Sequence, residues 1–177
     1  MTQFPTGLTP TCEEVLLLPS GSTVRLPKAT PTFKAWQQAV PFDSYGGKAV
    51  IDFDGEPLFA ELAILRSFQK DGWTGVWVDT YRRRFCEGID RSIELPEEML
   101  WLLKSIYKLA RAKTGCFGVF AWRDDEIMFA EPKRAARDRF RFSQLRWLDA
   151  ALRSGLPEQL FLVVEWSLQG TTETALE

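Results

Sequence analysis

Apolar and polar positions along this chain repeat with a period of two in several short runs and near 3.6 in three longer ones, which predicts strands and helices respectively. Lys48 to Phe53 is a short candidate strand. Leu58, Glu61, Ile64, Leu65 and Phe68 share one face of a helix that runs to about Lys70 and is closed by Gly72. Asp54 is expected to cap that helix, with Pro57 in its first turn. Trp73 to Tyr81 reads as a strand, with Trp73, Gly75, Trp77, Asp79 and Tyr81 on one face and Val76 and Val78 on the other. Pro96 opens a second helix that reaches about Lys113, with Glu97 and Glu98 in its first turn and Gly115 after its end. Cys116 to Trp122 and Glu126 to Lys133 are predicted to form a hairpin about Asp124-Asp125. A third helix from about Ser143 to Arg153 and a strand from Leu160 to Trp166 complete the series. Helix, strand, helix, two strands, helix and strand in that order predict an α/β domain around a mixed sheet flanked by helices.

Before this pattern begins, residues 1–45 carry Pro5, Pro10, Pro19, Pro27, Pro31 and Pro41, with Ser20-Gly21-Ser22 as a hairpin turn. They are expected to form an N-terminal extended arm with short strands, ahead of a domain over residues 46–166. Residues 167–177 are polar and are expected to fray. A chain of 177 residues with 45% hydrophobic and 26% charged positions fits one globular domain with a proper core. Seven Trp and thirteen Phe make that core aromatic. The longest aliphatic run near the start, Val15 to Leu18, is too short for a secretory segment or a membrane span, so a cytoplasmic protein without a membrane partner is expected. Cys12, Cys86 and Cys116 lack metal-ligand spacing and fit unpaired thiols.

Two features change the picture from fold to chemistry. The chain has no histidine, which removes Ser-His-Asp and Cys-His catalysis, histidine metal sites and histidine-base nucleases. Any reaction must use carboxylates, lysine or a bound metal. The net charge of −2 also hides an asymmetry: Lys133 to Arg153 holds seven basic and two acidic residues, +5, leaving −7 for the rest. A basic segment on an acidic protein suggests a local anion-binding face, and a solvated helix surface is the plainer alternative. Glu61 meanwhile interrupts an apolar helix stripe and must be paired, protonated or metal-bound.

Glu131 and Lys133 are two residues apart at the end of a strand, so both side chains point to one face with Ile127 and Phe129. A carboxylate that holds a divalent metal beside an ammonium that activates water suits phosphodiester hydrolysis. Phe117-Gly118-Val119-Phe120-Ala121-Trp122-Arg123 followed by Phe129-Ala130-Glu131-Pro132-Lys133 resembles the PD-(D/E)XK nuclease superfamily, in particular its VRR-NUC branch. Asp138-Arg139-Phe140-Arg141 and Ser143-Gln144-Leu145-Arg146-Trp147-Leu148 extend the likeness, which spans roughly residues 55–166. The resemblance implies a restriction-endonuclease-like core and a DNA-directed nuclease using Mg²⁺ or Mn²⁺. It implies Glu131, Glu61 and the Pro132 carbonyl as metal ligands, Lys133 as the water-activating or charge-neutralising lysine, and Gln144 as an orienting or phosphate-contacting residue. Arg134, Arg137, Arg139, Arg141 and Arg146 would meet the nucleic acid.

One departure bears on activity. The family's Pro-Asp pair falls on Phe117-Gly118, so the central metal-binding aspartate is a glycine. Asp79 would compensate if its side chain faced the same cleft. The expectation is therefore a degenerate or weakly active nuclease, with a silent nucleic-acid- or protein-binding module as the alternative. A remote alternative is a haloacid dehalogenase-like phosphatase, since Asp52-Phe53-Asp54-Gly55 matches that family's opening. Its threonine after the glycine is Glu56 here, and a strand followed by a capping aspartate explains the match without chemistry.

Overall fold

The computed structural model describes residues 3–40 and 46–170. Among them lie eleven strands and three α-helices. In chain order these are β1 (Cys12–Leu17), β2 (Thr23–Ala29), β3 (Thr32–Ala35), β4 (Ile51–Phe53), β5 (Glu56–Leu58), α1 (Ala60–Lys70), β6 (Thr74–Asp79), β7 (Arg84–Gly88), β8 (Arg91–Ile93), α2 (Glu97–Ala110), β9 (Val119–Arg123), β10 (Glu126–Arg134), α3 (Phe142–Arg153) and β11 (Phe161–Leu168). All the strands join one mixed sheet in the order β5-β4-β3-β11-β10-β9-β6-β7-β8, with β1 carried on β2 and β2 on β11.

At its centre β6, β9 and β10 run antiparallel, and β11 returns through α3 to lie parallel to β10. The β9–β10 hairpin turns at Asp124, whose φ of 50° is the left-handed conformation a tight turn needs. Alternation along these strands divides the interior into two cores. On one face α1 lays Leu62, Ile64, Leu65 and Phe68 against Val119, Ala121, Met128, Ala130, Leu162 and Val164. On the other, α2 and α3 lay Leu103, Ile106, Trp147 and Leu148 against Val76, Val78, Phe120, Phe129, Phe161 and Val163. Phe129 stacks between Phe120 (4.4 Å) and Phe161 (5.5 Å), and Trp147 meets it edge-on at 5.1 Å. These offset and edge contacts match the ring quadrupoles and fix α3 over β10.

The helices differ from expectation at the end of α2, which closes at Ala110 on a left-handed Arg111 (φ 49°) and not near Lys113, and at the start of α1. Asp54 does not cap α1; with Gly55 it forms the turn between β4 and β5, both at positive φ (53° and 84°). Asp-Gly is the preferred pair for a two-residue hairpin turn, and that preference wins here over the capping signal. Asp52 accepts the Gly55 N–H at 2.8 Å and pairs with Lys34, so the aspartates of this run serve a turn and an ion pair. Pro57 accordingly sits in β5 rather than in a helix, and α1 opens after Phe59.

The N-terminal region forms the expected short strands, and they are built into the sheet. β2 pairs with β11 at Lys28–Val163 and Ala29–Val164, and β3 takes over at Thr32–Ser167. Ser20, in the β1–β2 turn, donates its N–H and hydroxyl to Asp149 of α3, each at 3.0 Å. β11 continues to Leu168, past the expected end of the last strand. Residues 1–2 and 41–45 of the expected arm and 171–177 of the expected tail lie outside the described residues.

Candidate functional site

Glu131 and Lys133 project from β10 toward α3, on the face that also carries Phe129, as the alternation predicts. Both are buried, at 6% and 7% exposure, and so is Gln144 at 6%. The three form a closed network. Lys133 Nζ is 3.0 Å from Glu131 Oε1 and donates to Gln144 Oε1 at 2.8 Å. Gln144 Nε2 donates to Glu131 Oε1 at 2.6 Å, and the Gly118 N–H donates to Glu131 Oε2 at 2.8 Å. Gln144 Oε1 also accepts the Arg141 N–H at the start of α3 (3.1 Å), so its amide orientation is fixed from both ends. Lys133 lies 4.6 Å from the centre of the Phe140 ring, a cation–π contact that covers it further.

Burial pushes the Glu131 carboxyl above the ordinary glutamate range, and Lys133, the Gly118 N–H and Gln144 each pull it back. Cys116 lies beside it, buried at the cleft wall; burial first and the Glu131 charge second push its thiol up, while the Tyr107 hydroxyl bonded to it acts the other way. The Tyr107 hydroxyl is itself raised by burial. Such a thiol is a packing group, not a nucleophile.

A cleft of about 530 Å³ opens beside this network. It is lined by Glu131, Gln144, Gly118, Cys116, Glu61, Asp79, Lys48, Arg83 and Arg141 among others. Glu61 therefore reaches the cleft from α1, but its partner is Lys48, at 2.9 Å. Lys48 in turn lies over Phe59 and Trp77, at 4.3 and 5.1 Å from the ring centres. Asp79 also faces this cleft, and it is taken: Arg84 Nε is 3.3 Å from Oδ2 and the Arg82 N–H donates to Oδ1 at 3.2 Å. Lys133 lines a neighbouring concavity of about 370 Å³ with Glu14, Phe140, Arg137 and Arg139, not the cleft that Glu61 shares with Glu131.

The residues expected to hold a divalent metal do not fit one. Each Glu131 oxygen accepts a hydrogen bond from the protein, Glu61 is paired with Lys48, and Gly118 offers no side chain. Among the described residues no three His, Cys, Asp or Glu side chains are placed to share an ion. Hard divalent cations want several free oxygen ligands, and this set supplies too few. Gly118 is not at positive φ, so its backbone conformation is open to any residue. A Cβ there would stand 3.3 Å from both Glu61 Cγ and Pro132 Cδ, so an aspartate would enter between Glu61 and Pro132 after shifts of a few tenths of an ångström. Pro132 itself lies beyond the last β9–β10 pair, Ala130–Val119, at a ladder end where a missing N–H is tolerated.

The basic residues divide into two groups. Arg134, which lies over the Trp166 ring at 5.4 Å, and Arg137 border a third concavity that also touches Lys48, Glu61 and Pro132. With Arg139 and Arg141 they follow one broken groove along the ends of β10 and β11. Arg146 is elsewhere: it donates to the Arg111 carbonyl at 3.0 Å and faces a separate hollow with Leu109 and Phe142. Lys48 and Arg84 are the site residues the sequence pattern does not single out: Lys48 meets Glu61 from the loop before β4, and Arg84 opens β7 directly across the β6–β7 hairpin from Asp79.

The chain matches no protein-family model, no curated protein and no solved structure. Its α/β architecture therefore stands on its own geometry, and among the described residues no helix is long and apolar enough to cross a membrane.

Proposed function

We propose that this chain is a restriction-endonuclease-like domain that holds the phosphate backbone of nucleic acid without hydrolysing it. The observation that carries the reading is the closed Glu131–Lys133–Gln144 network. The two residues that would bind metal and activate water neutralise each other in the interior, and the lysine is turned out of the cleft. The elements α1, β6, β9, β10, α3 and β11, with β7, β8 and α2 between β6 and β9 and with β11 parallel to β10, form a mixed sheet compatible with such a core. What remains available to a ligand is the groove bordered by Arg137, Arg139 and Arg141, whose guanidinium groups suit phosphate oxygens although Glu14, Asp138 and Glu165 line it beside them.

The test is fluorescence anisotropy on a labelled DNA oligonucleotide over a salt series, with cleavage followed on the same samples in Mg²⁺ and Mn²⁺. Binding is expected to weaken steeply with salt, and the Arg137→Ala/Arg139→Ala variant to flatten the slope by roughly 1–2, about 0.7–0.9 per lost phosphate contact. No cleavage is expected from the wild type. Cleavage that Glu131→Gln abolishes, or a salt slope unchanged in the arginine variant, overturns the reading.

A further inference from the structure

β1 ends the ribbon that extends the sheet beyond β11, and among the described residues it pairs with β2 alone. The Leu18 N–H donates to the Ser22 carbonyl at 2.8 Å. In an antiparallel ladder the hydrogen-bonded residues alternate, so Cys12, Glu14 and Leu16 turn their backbone groups to β2. Glu13, Val15 and Leu17 then turn theirs to the open edge. The side chains of these same three residues stand on the bare face of the ribbon, where Val15 is 51% and Leu17 68% exposed, while Leu16 and Leu18 are buried on the opposite face.

Natural sheets guard such an edge with lysine, proline, a bulge or an inward charge. Cys12–Leu17 has none of these: its ladder with β2 runs without a break, and its two acids are already neutralised within the chain. Glu13 pairs with Arg25 at 3.4 Å and Glu14 with Lys28 at 2.7 Å. We infer that β1 is a self-association edge, which joins antiparallel to β1 of a second copy of this chain across a twofold axis at Val15.

The self-complementarity of the strand favours a second copy over another partner. Centred on Val15, the register sets Val15 against its own mate and Leu17 against Glu13 of the other copy, so that all three outward residues of each strand find partners. About six backbone hydrogen bonds form, two for each of three facing pairs. On the bare face, Val15 and Leu17 of both copies become one apolar patch, bounded at each end by a Glu13–Arg25 pair. Charge repulsion does not oppose it, because each acid brings its own base.

Two measurements on the full chain test this. Light scattering coupled to size exclusion is expected to show a concentration-dependent dimer. Leu17→Lys should raise its dissociation constant about tenfold or more, since both copies lose a leucine from the patch. In a Cys12→Ser background, Val15→Cys should form an oxidised dimer, because facing Cα atoms about 5.5 Å apart fall within disulfide reach. Thr23→Cys on β2, also exposed but about 20 Å from its mate, three strand spacings across and four residues along, should not. A monomer at all concentrations, equal cross-linking of the two cysteine variants, or a dimer indifferent to Leu17→Lys would each overturn the assignment.

Discussion

Replacing Lys133 by Met keeps an unbranched apolar side chain and removes the ammonium, together with its cation–π contact to Phe140. Glu131 would retain the Gly118 N–H and the Gln144 amide, and Gln144 Oε1 would retain the Arg141 N–H. The carboxylate would lose its only charged partner within the network, at 6% exposure. Breaking one side of a buried ion pair costs about 3–5 kcal/mol, and the surviving hydrogen bonds place this case near about 3. In urea unfolding that is a midpoint lower by roughly 1–3 M for slopes of about 1–3 kcal/mol/M. The double variant Glu131→Leu/Lys133→Met, which removes both charges, should recover most of the loss.

The pH dependence gives the same argument a sign. Glu131 already binds its proton more tightly in the folded protein than at the ordinary value of 4.5, because burial outweighs its partners. Its contribution is therefore fully present below that ordinary value and is lost as pH rises through the folded one. Without Lys133 the folded value climbs further, so the deficit of Lys133→Met is largest at neutral pH and narrows on acidification as Glu131 becomes neutral. A deficit below about 1 kcal/mol at pH 7, or one equally large at pH 7 and pH 5, would refute a buried, charge-coupled pair.

Gly118→Asp should fold with a loss of about 1–3 kcal/mol from crowding and added negative charge. A thermal scan should show Mn²⁺ restoring stability to that variant, by about 2.7 kcal/mol at a hundredfold excess over the dissociation constant, and leaving the wild type unmoved. Gly115→Ala should be the more damaging glycine change, since φ is 111° and the new Cβ would meet the Ser143 carbonyl oxygen at 2.1 Å. Near-ultraviolet circular dichroism should report the displaced start of α3 through Trp147, whose Cβ is also within 3.0 Å. Asp149→Ala removes two bonds to Ser20 and should cost about 1–3 kcal/mol, with faster hydrogen exchange at the β1–β2 turn.

The parts of this fold that were legible in the sequence are those set by local rules. The β9–β10 hairpin followed from two alternating runs about Asp124-Asp125, and the same alternation put Glu131 and Lys133 on one face. The exclusion of Arg146 from the groove was also within reach: it lies about 200° around α3 from Gln144, so the two point in opposite directions. Asp54 failed because two local signals compete at Asp-Gly, and only the neighbouring strand decides between a helix cap and a hairpin turn. The Lys48–Glu61 pair had no periodic signature, since Lys48 lies in a loop, and the Arg84–Asp79 pair depended on the register of the β6–β7 hairpin. Nor did the docking of β2 and β3, since a strand's own residues do not state which remote strand accepts them. Gly118 was visible as a missing ligand, whereas the use of its N–H to hold Glu131 depended on tertiary geometry.

The position of β11 has a consequence for how the molecule comes together. It is the last strand described, yet it sits between β10 and the two N-terminal strands, and Thr32 meets Ser167 across a separation of 135 residues. During synthesis the β1–β2 hairpin and the β3–β4–β5 ribbon emerge first and cannot join the central sheet until β11 has been made. Their apolar faces, with Val24, Leu26 and Ala29, must wait uncovered through the synthesis of α1 to α3. Closing so long a loop late makes for slow folding, and the waiting ribbon is the segment a chaperone would meet.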